Sequence, residues 1–167
     1  MRFVITGEWR RNSLLRLIIA LFLLYTAGLW VTNALLYFNK MKLTPTSVVE
    51  YYRGSEERFT RPRTYQGLLE ISHFHLFAMG ILILTLTHLV LFVPLSVRLK
   101  FWLLLISFGT AIANEAGGWL VRYVHPAFAY WKIASFLAFQ ISLAVLIIAV
   151  LIATFGRTRN AYTDDVQ

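Results

Sequence analysis

HFHLFAMGILILTLTHLVLFV, residues 73–93, decides how this chain folds. The stretch holds no Asp, Glu, Lys or Arg and stops at Pro94, which has no amide hydrogen to continue a helix. As a helix it covers roughly 30 Å, the thickness of a bilayer's hydrocarbon. His73, His75 and His88 nevertheless punctuate it. An apolar helix that carries imidazoles to hydrocarbon depth is a membrane span, and a place to look for function.

Three more stretches have the same character. The sequence predicts spans over about residues 13–38, 68–93, 99–123 and 126–155, with one extramembrane connection, residues 39–67. The fold class expected is an all-α integral membrane protein, a four-helix transmembrane bundle forming a single domain. Composition agrees: of 167 residues, 58% are hydrophobic, 16% aromatic and 14% charged, with a formal net charge of +8. Soluble domains carry about 25% charged residues. Cysteine is absent, which removes disulfides, thiolate nucleophiles, cysteine-ligated iron–sulfur clusters and C-x-x-C-H haem attachment. The basic residues lie beside spans, so they suit anionic lipid and not nucleic acid.

Arg10 and Arg11 precede the first apolar stretch, and Thr32-Asn33-Ala34 faintly resembles a cleavage site. The stretch is too long for a signal h-region and stays apolar through Phe38, so an uncleaved span is expected. The 16 Lys and Arg residues divide evenly between the two sides. One set is concentrated in two tails and the short turn at Arg98 and Lys100, where charge bias acts most strongly. The expectation is a bacterial cytoplasmic membrane with both termini in the cytoplasm. In the 39–67 connection, Thr44-Pro45 reads as a helix start and Gly54 as its end. TSVVEYYR between them brings Val48, Tyr51 and Tyr52 near one face, as in a short interfacial helix or an ordered segment packed on the bundle.

Ionisable residues in a span are candidates for function. Glu70, His73, His75 and His88 fall on the second span. Asn114, Glu115 and Arg122 fall on the third, and His125 stands just before the fourth. At about 100° per residue, Glu70, His73 and His88 lie close to one face, while His75 is turned about 200° from His73 and lies over Met79. Because successive spans are antiparallel, Glu70, His73, His75, Glu115, Arg122 and His125 all belong to the same half of the membrane. Gly109, Ala113 and Gly117 form a small-residue ladder suited to close helix packing, and Gly117-Gly118 also leaves room for a bulky cofactor. Trp9, Trp30, Trp102, Trp119 and Trp131 sit near span ends, as in an aromatic belt.

Three functions fit these residues. In the first, His73 or His75 and His125 clamp one haem b, Arg122 or Lys132 neutralises its propionates, and His88 stands where a second haem would lie. The chain is then an electron-passing subunit of a membrane redox or energy-converting complex. The four spans and spaced histidines resemble, in outline, the four-helix membrane cytochrome b subunits of dehydrogenases and reductases. Those proteins supply a histidine from a second helix for each haem, and His88 has no such partner here. In the second, Glu70 and His73, spaced i, i+3, join Glu115 and His125 around non-haem iron, copper or zinc near the outer surface. In the third, the chain is a non-catalytic accessory or assembly subunit, its polar residues acting as glue between helices. In each, the partners are the bilayer and other membrane subunits.

Overall fold

The computed structural model describes residues 12–156. Four helices are long and apolar enough to cross a membrane: α1 (Ser13–Lys40), α3 (Tyr65–Val90), α4 (Val97–Trp119), which continues as a π-helical turn (Leu120–Val124), and α5 (Phe128–Phe155). The short helix α2 (Pro45–Arg53) interrupts the first connection. The all-α four-span bundle expected from the sequence is the fold observed.

Polar side chains start the spans. The Asn12 side chain accepts hydrogen bonds from the Leu14 and Leu15 amides at 3.0 and 3.2 Å. Thr64 accepts from Gly67 N–H, and Ser96 from Leu99 N–H. Each satisfies an amide that the first helical turn leaves without a partner. Thr64 explains why α3 begins at Tyr65, three residues before the expected start. Its end comes early for a different reason. Ahead of Pro94 the Phe92 and Val93 amides bond to Leu89 and Val90, three residues back, so Leu91–Val93 tighten out of the α-helix. Lys100 Nζ then donates to the Leu91 carbonyl at 2.6 Å, placing a cation at the helix's negative end. At α5, Pro126 and Ala127 form a turn in place of the first helical residues, and the helix starts at Phe128.

α5 is the centre of the bundle and packs on α1, α3 and α4. Its Phe139, Leu143, Leu146, Val150 and Ala153 meet Ile19 and Leu23 of α1 and Ile83, Leu86 and Val90 of α3 in one buried cluster. A second cluster lies toward the α2 end. There Tyr37 stacks on Phe136 at 3.8 Å between ring centres, and Val48, Tyr52, Leu68, Val121 and Ala129 close around them. α2 therefore lies on the ends of α5 and the π-turn, with Val48 and Tyr52 buried. Gly54 ends it with φ +82°, where a Cβ would run into the backbone of Thr60–Pro62.

In hydrocarbon, apolar helices gain little by leaving lipid for each other. Close approach and interhelical hydrogen bonds must hold the bundle. Gly117 supplies the first: a Cβ there would lie 3.0 Å from Lys132 Cδ and 3.2 Å from its Cα. Gly118 does the same for Tyr52, whose ring edge would be 2.9 Å away. The two glycines thus admit α5 and α2. Gly109, the other end of the expected ladder, has open space where a Cβ would be and takes no part in packing.

Candidate functional site

Between the two apolar clusters lies a layer of polar side chains. Trp119 Nε1 of α4 donates to Ser72 Oγ of α3 at 2.8 Å. Ser72 Oγ donates to Glu115 Oε1 at 2.6 Å, and Glu115 Oε2 lies 3.0 Å from His75 Nδ1. A carboxylate only accepts, so Nδ1–H of His75 is the donor and Nε2 is left for another partner. The chain Trp119–Ser72–Glu115–His75 crosses from α4 to α3, back to α4 and again to α3, and so ties the two helices with three bonds.

A second tie joins α4 to α5. Lys132 is 7% exposed and donates its ammonium to the Asn114 backbone carbonyl at 2.7 Å and to Asn114 Oδ1 at 2.9 Å. Trp131 Nε1 donates to the Ala113 carbonyl at 3.0 Å. On α1, Trp30 Nε1 reaches the Gln140 carbonyl of α5 at 2.9 Å. Trp30, Trp119 and Trp131 are thus interhelical fasteners, not only belt residues. Trp102 stays exposed beside Phe101, and Trp9 lies outside the described residues.

The end of α4 is fixed from the connecting segment. In the π-turn the His125 amide bonds to Leu120 O, and the Val121 carbonyl accepts from Arg53 Nε at 2.6 Å. Arg122 Nε donates to the Arg63 carbonyl at 2.8 Å. Tyr65, Trp119 and Tyr123 pack edge-to-face and stacked above the Ser72–Glu115 pair. Burial pushes the Tyr52 hydroxyl well above the usual tyrosine range, and Tyr51 also rises on burial although Arg63 opposes it.

Of the residues singled out by sequence, the structure brings His75 and Glu115 together. It also joins Lys132 to Asn114, while Glu70, His73, His88, Arg122 and His125 do not meet one another or either pair. His125 stands ten residues beyond Glu115, roughly 15 Å farther along the helix. Its Nδ1 accepts from the Ala127 amide at 3.1 Å. It therefore does not face His75 or His73 across a common centre, as a haem clamp requires. His73 is exposed on the outside of α3, and Glu70 is exposed and bonded to Gln66 at 2.9 Å. Glu70 and His73 do not join Glu115 and His125, and among the described residues no three His, Asp or Glu side chains converge on a metal-sized point. His88 is exposed and packs edge-on to Phe92. Arg122 and Lys132, either of which was expected to face propionates, donate through Nε to the Arg63 carbonyl and through Nζ to Asn114.

A cavity of about 170 Å³ opens beside the network. Asn33 of α1, His75, Met79 and Gly80 of α3, and Asn114 and Glu115 of α4 are among the residues that line it. Among the described residues, Asn33 Nδ2 is buried without a hydrogen-bond partner. Sequence reasoning overlooked Ser72 and Asn33. Ser72 had a signal, lying three residues before His75 and four residues after Leu68. Asn33 entered the sequence reading only in the Thr32-Asn33-Ala34 triplet.

Residues 42–161 match the Aq_1264_TM family, described as a transmembrane helical domain, and so well over half of the chain is covered. The chain belongs to this family. The family domain takes in α2 to α5 and with them Ser72, His75, Glu115, Trp119 and Lys132, whereas α1, with Trp30 and Asn33, precedes it. The protein is an integral membrane protein whose helices contact lipid. No curated protein and no solved structure matches the chain.

Proposed function

We propose that this Aq_1264_TM-family protein is a non-catalytic four-span subunit that joins a larger membrane assembly through the outward face of α3. The observation that carries the reading is how the intramembrane polar groups divide. Glu115, Ser72, His75 and Trp119 bond to one another inside the chain, and Lys132 bonds to Asn114 there. Glu70, His73 and His88 point out of it, in register with Phe77, Ile81 and Leu84, all exposed. His73 lies about 12 Å below the start of α3, at hydrocarbon depth. Lipid offers no hydrogen bond there, whereas a neighbouring transmembrane helix with a polar group facing Glu70 and His73 does. The ends of α1 and α5 that continue into both termini share one face with the α3–α4 turn, and we place that face in the cytoplasm from the Arg98 and Lys100 bias.

Because the chain has no cysteine, single cysteines report cleanly. Phe77→Cys and Leu84→Cys should be shielded from a lipid-dissolved maleimide in native membranes and become reactive in detergent. Leu24→Cys, on the exposed face of α1, should react in both. Equal labelling at all three sites in native membranes would refute the assembly reading.

A further inference from the structure

A larger cavity, of about 520 Å³, lies where α1 and α3 leave the membrane. Lys40 ends α1 and Thr64 caps α3, and both line it, so it stands at headgroup depth. Glu70, His73, Phe77 and Leu84 do not border it, so what it does is independent of the assembly reading. Four cations line it, Lys40, Arg58, Arg61 and Arg63, against one carboxylate, Glu50. Arg58 takes that carboxylate at 2.9 Å. Among the described residues the other three cations have no carboxylate partner.

Arg63 is held in place all the same. Its guanidinium lies over the Tyr51 ring at 4.1 Å, its amide donates to the Tyr52 carbonyl at 3.0 Å, and its own carbonyl accepts from Arg122 at 2.8 Å. A guanidinium stacked on a ring keeps the N–H groups of its edge for a ligand. Three hydroxyls at the wall have the same character. Ser47 Oγ accepts from the Lys42 amide, Thr60 Oγ1 from Ser55 and Thr64 Oγ1 from Gly67, and each is left with an O–H to donate. The N-terminus of α3 adds the positive end of a 26-residue helix. Cations and hydroxyls that all donate match a phosphate, whose oxygens accept. Ile71 points to the source of that phosphate. It is exposed, lies about 10 Å below Thr64 along α3, and carries the cavity wall into hydrocarbon. A lipid's acyl chain uses that wall and a free phosphate ester does not. A choline head would bring a further cation against the three already there. We infer that the cavity binds the phosphate of an anionic phospholipid among Lys40, Arg61 and Arg63, with an acyl chain along Ile71.

The test uses the full chain in detergent and three probes: dioctanoyl phosphatidylglycerol, dioctanoyl phosphatidylcholine and glycerol phosphate. Native mass spectrometry reads occupancy against probe concentration. Phosphatidylglycerol should bind about tenfold more tightly than either of the others. Lys40→Gln and Arg61→Gln, at exposed side chains with no ion pair among the described residues, should each weaken it about fivefold and leave thermal unfolding unchanged. Arg63→Lys keeps the charge, loses the fork, and should also weaken it about fivefold. Lys42→Gln removes a cation from the same connection but outside the cavity, and should bind within about twofold of wild type. A loss with Lys42→Gln as large as with Arg61→Gln would mean that charge attracts lipid here without a site, and would overturn the inference. So would equal binding of the two lipids. Glycerol phosphate binding as tightly as phosphatidylglycerol would make this a site for a soluble phosphate ester and overturn the assignment to lipid.

Discussion

Replacing Glu115 by Leu is the sharpest test of what holds the bundle together. The carboxylate accepts from Ser72 at 2.6 Å and from His75 at 3.0 Å. Interhelical hydrogen bonds in membranes average about 0.6 kcal/mol and reach about 1.7 kcal/mol. Losing two removes roughly 1–3 kcal/mol, and a Ser72 hydroxyl left without its acceptor adds roughly 1 kcal/mol more. The expected loss is therefore about 2–4 kcal/mol for Glu115→Leu, and about 1 kcal/mol for Glu115→Gln, which keeps one carbonyl oxygen for Ser72. Reversible unfolding by sodium dodecyl sulfate in mixed micelles, followed by circular dichroism, measures it. A double-mutant cycle with Ser72→Ala isolates the pair and should give a coupling of about 0.6–1.7 kcal/mol. Glu57→Leu, at an exposed position of the connection, is the control and should change stability by less than about 0.5 kcal/mol. A Glu115→Leu protein as stable as the Glu57→Leu control, or a cycle with no coupling, would refute the claim that this network ties α3 to α4.

Two further predictions concern the end of the bundle that α2 covers. Gly118→Ala should destabilise by about 1–3 kcal/mol, because the new methyl would lie 2.9 Å from the Tyr52 ring, whereas Gly109→Ala should be neutral or stabilise by about 0.5–1 kcal/mol through helix propensity alone; the same detergent titration reads both. Stability should also fall at alkaline pH. Tyr52 is raised on folding above its ordinary 10.0, so its contribution is intact below pH 10 and declines above it, as the unfolded chain loses the phenolic proton while the folded protein keeps it. Tyr52→Phe should flatten that decline in thermal unfolding measured between pH 9 and 11.

The spans were legible because length and hydropathy suffice to name them. Residues 73–93 needed no partner to be read as a crossing, and Pro94 had to end it. The boundaries moved by two or three residues where a local bond overrode the hydropathy pattern, as Thr64 did at the start of α3 and the tight turns before Pro94 did at its end. α2 was legible through Thr44-Pro45 and Gly54, and its landing place was one of two alternatives. The fasteners were not. Trp30, Trp119 and Trp131 look identical in sequence to belt residues, and only the position of a carbonyl or hydroxyl on the next helix makes them bonds.

The site was half legible, and the reason lies in α3. Its sequence is apolar almost all round, so periodicity gives no direction for its buried side. That side is set by Leu68, Ser72, Ile83, Leu86, Thr87 and Val90, and Ser72 stands near its middle. Turning about 100° per residue from Ser72 places His75 about 60° away, His73 about 100° away, and Glu70 and His88 each about 160° away. His75 is thus the imidazole on this helix that reaches Glu115 across the interface, while Glu70 and His88 must look outward. Four histidines in and beside three spans invite a search for a shared centre, but antiparallel helices bring residues only to the same depth. Facing is decided separately, by whichever small polar residue lies against the next helix, and here a serine selects the histidine.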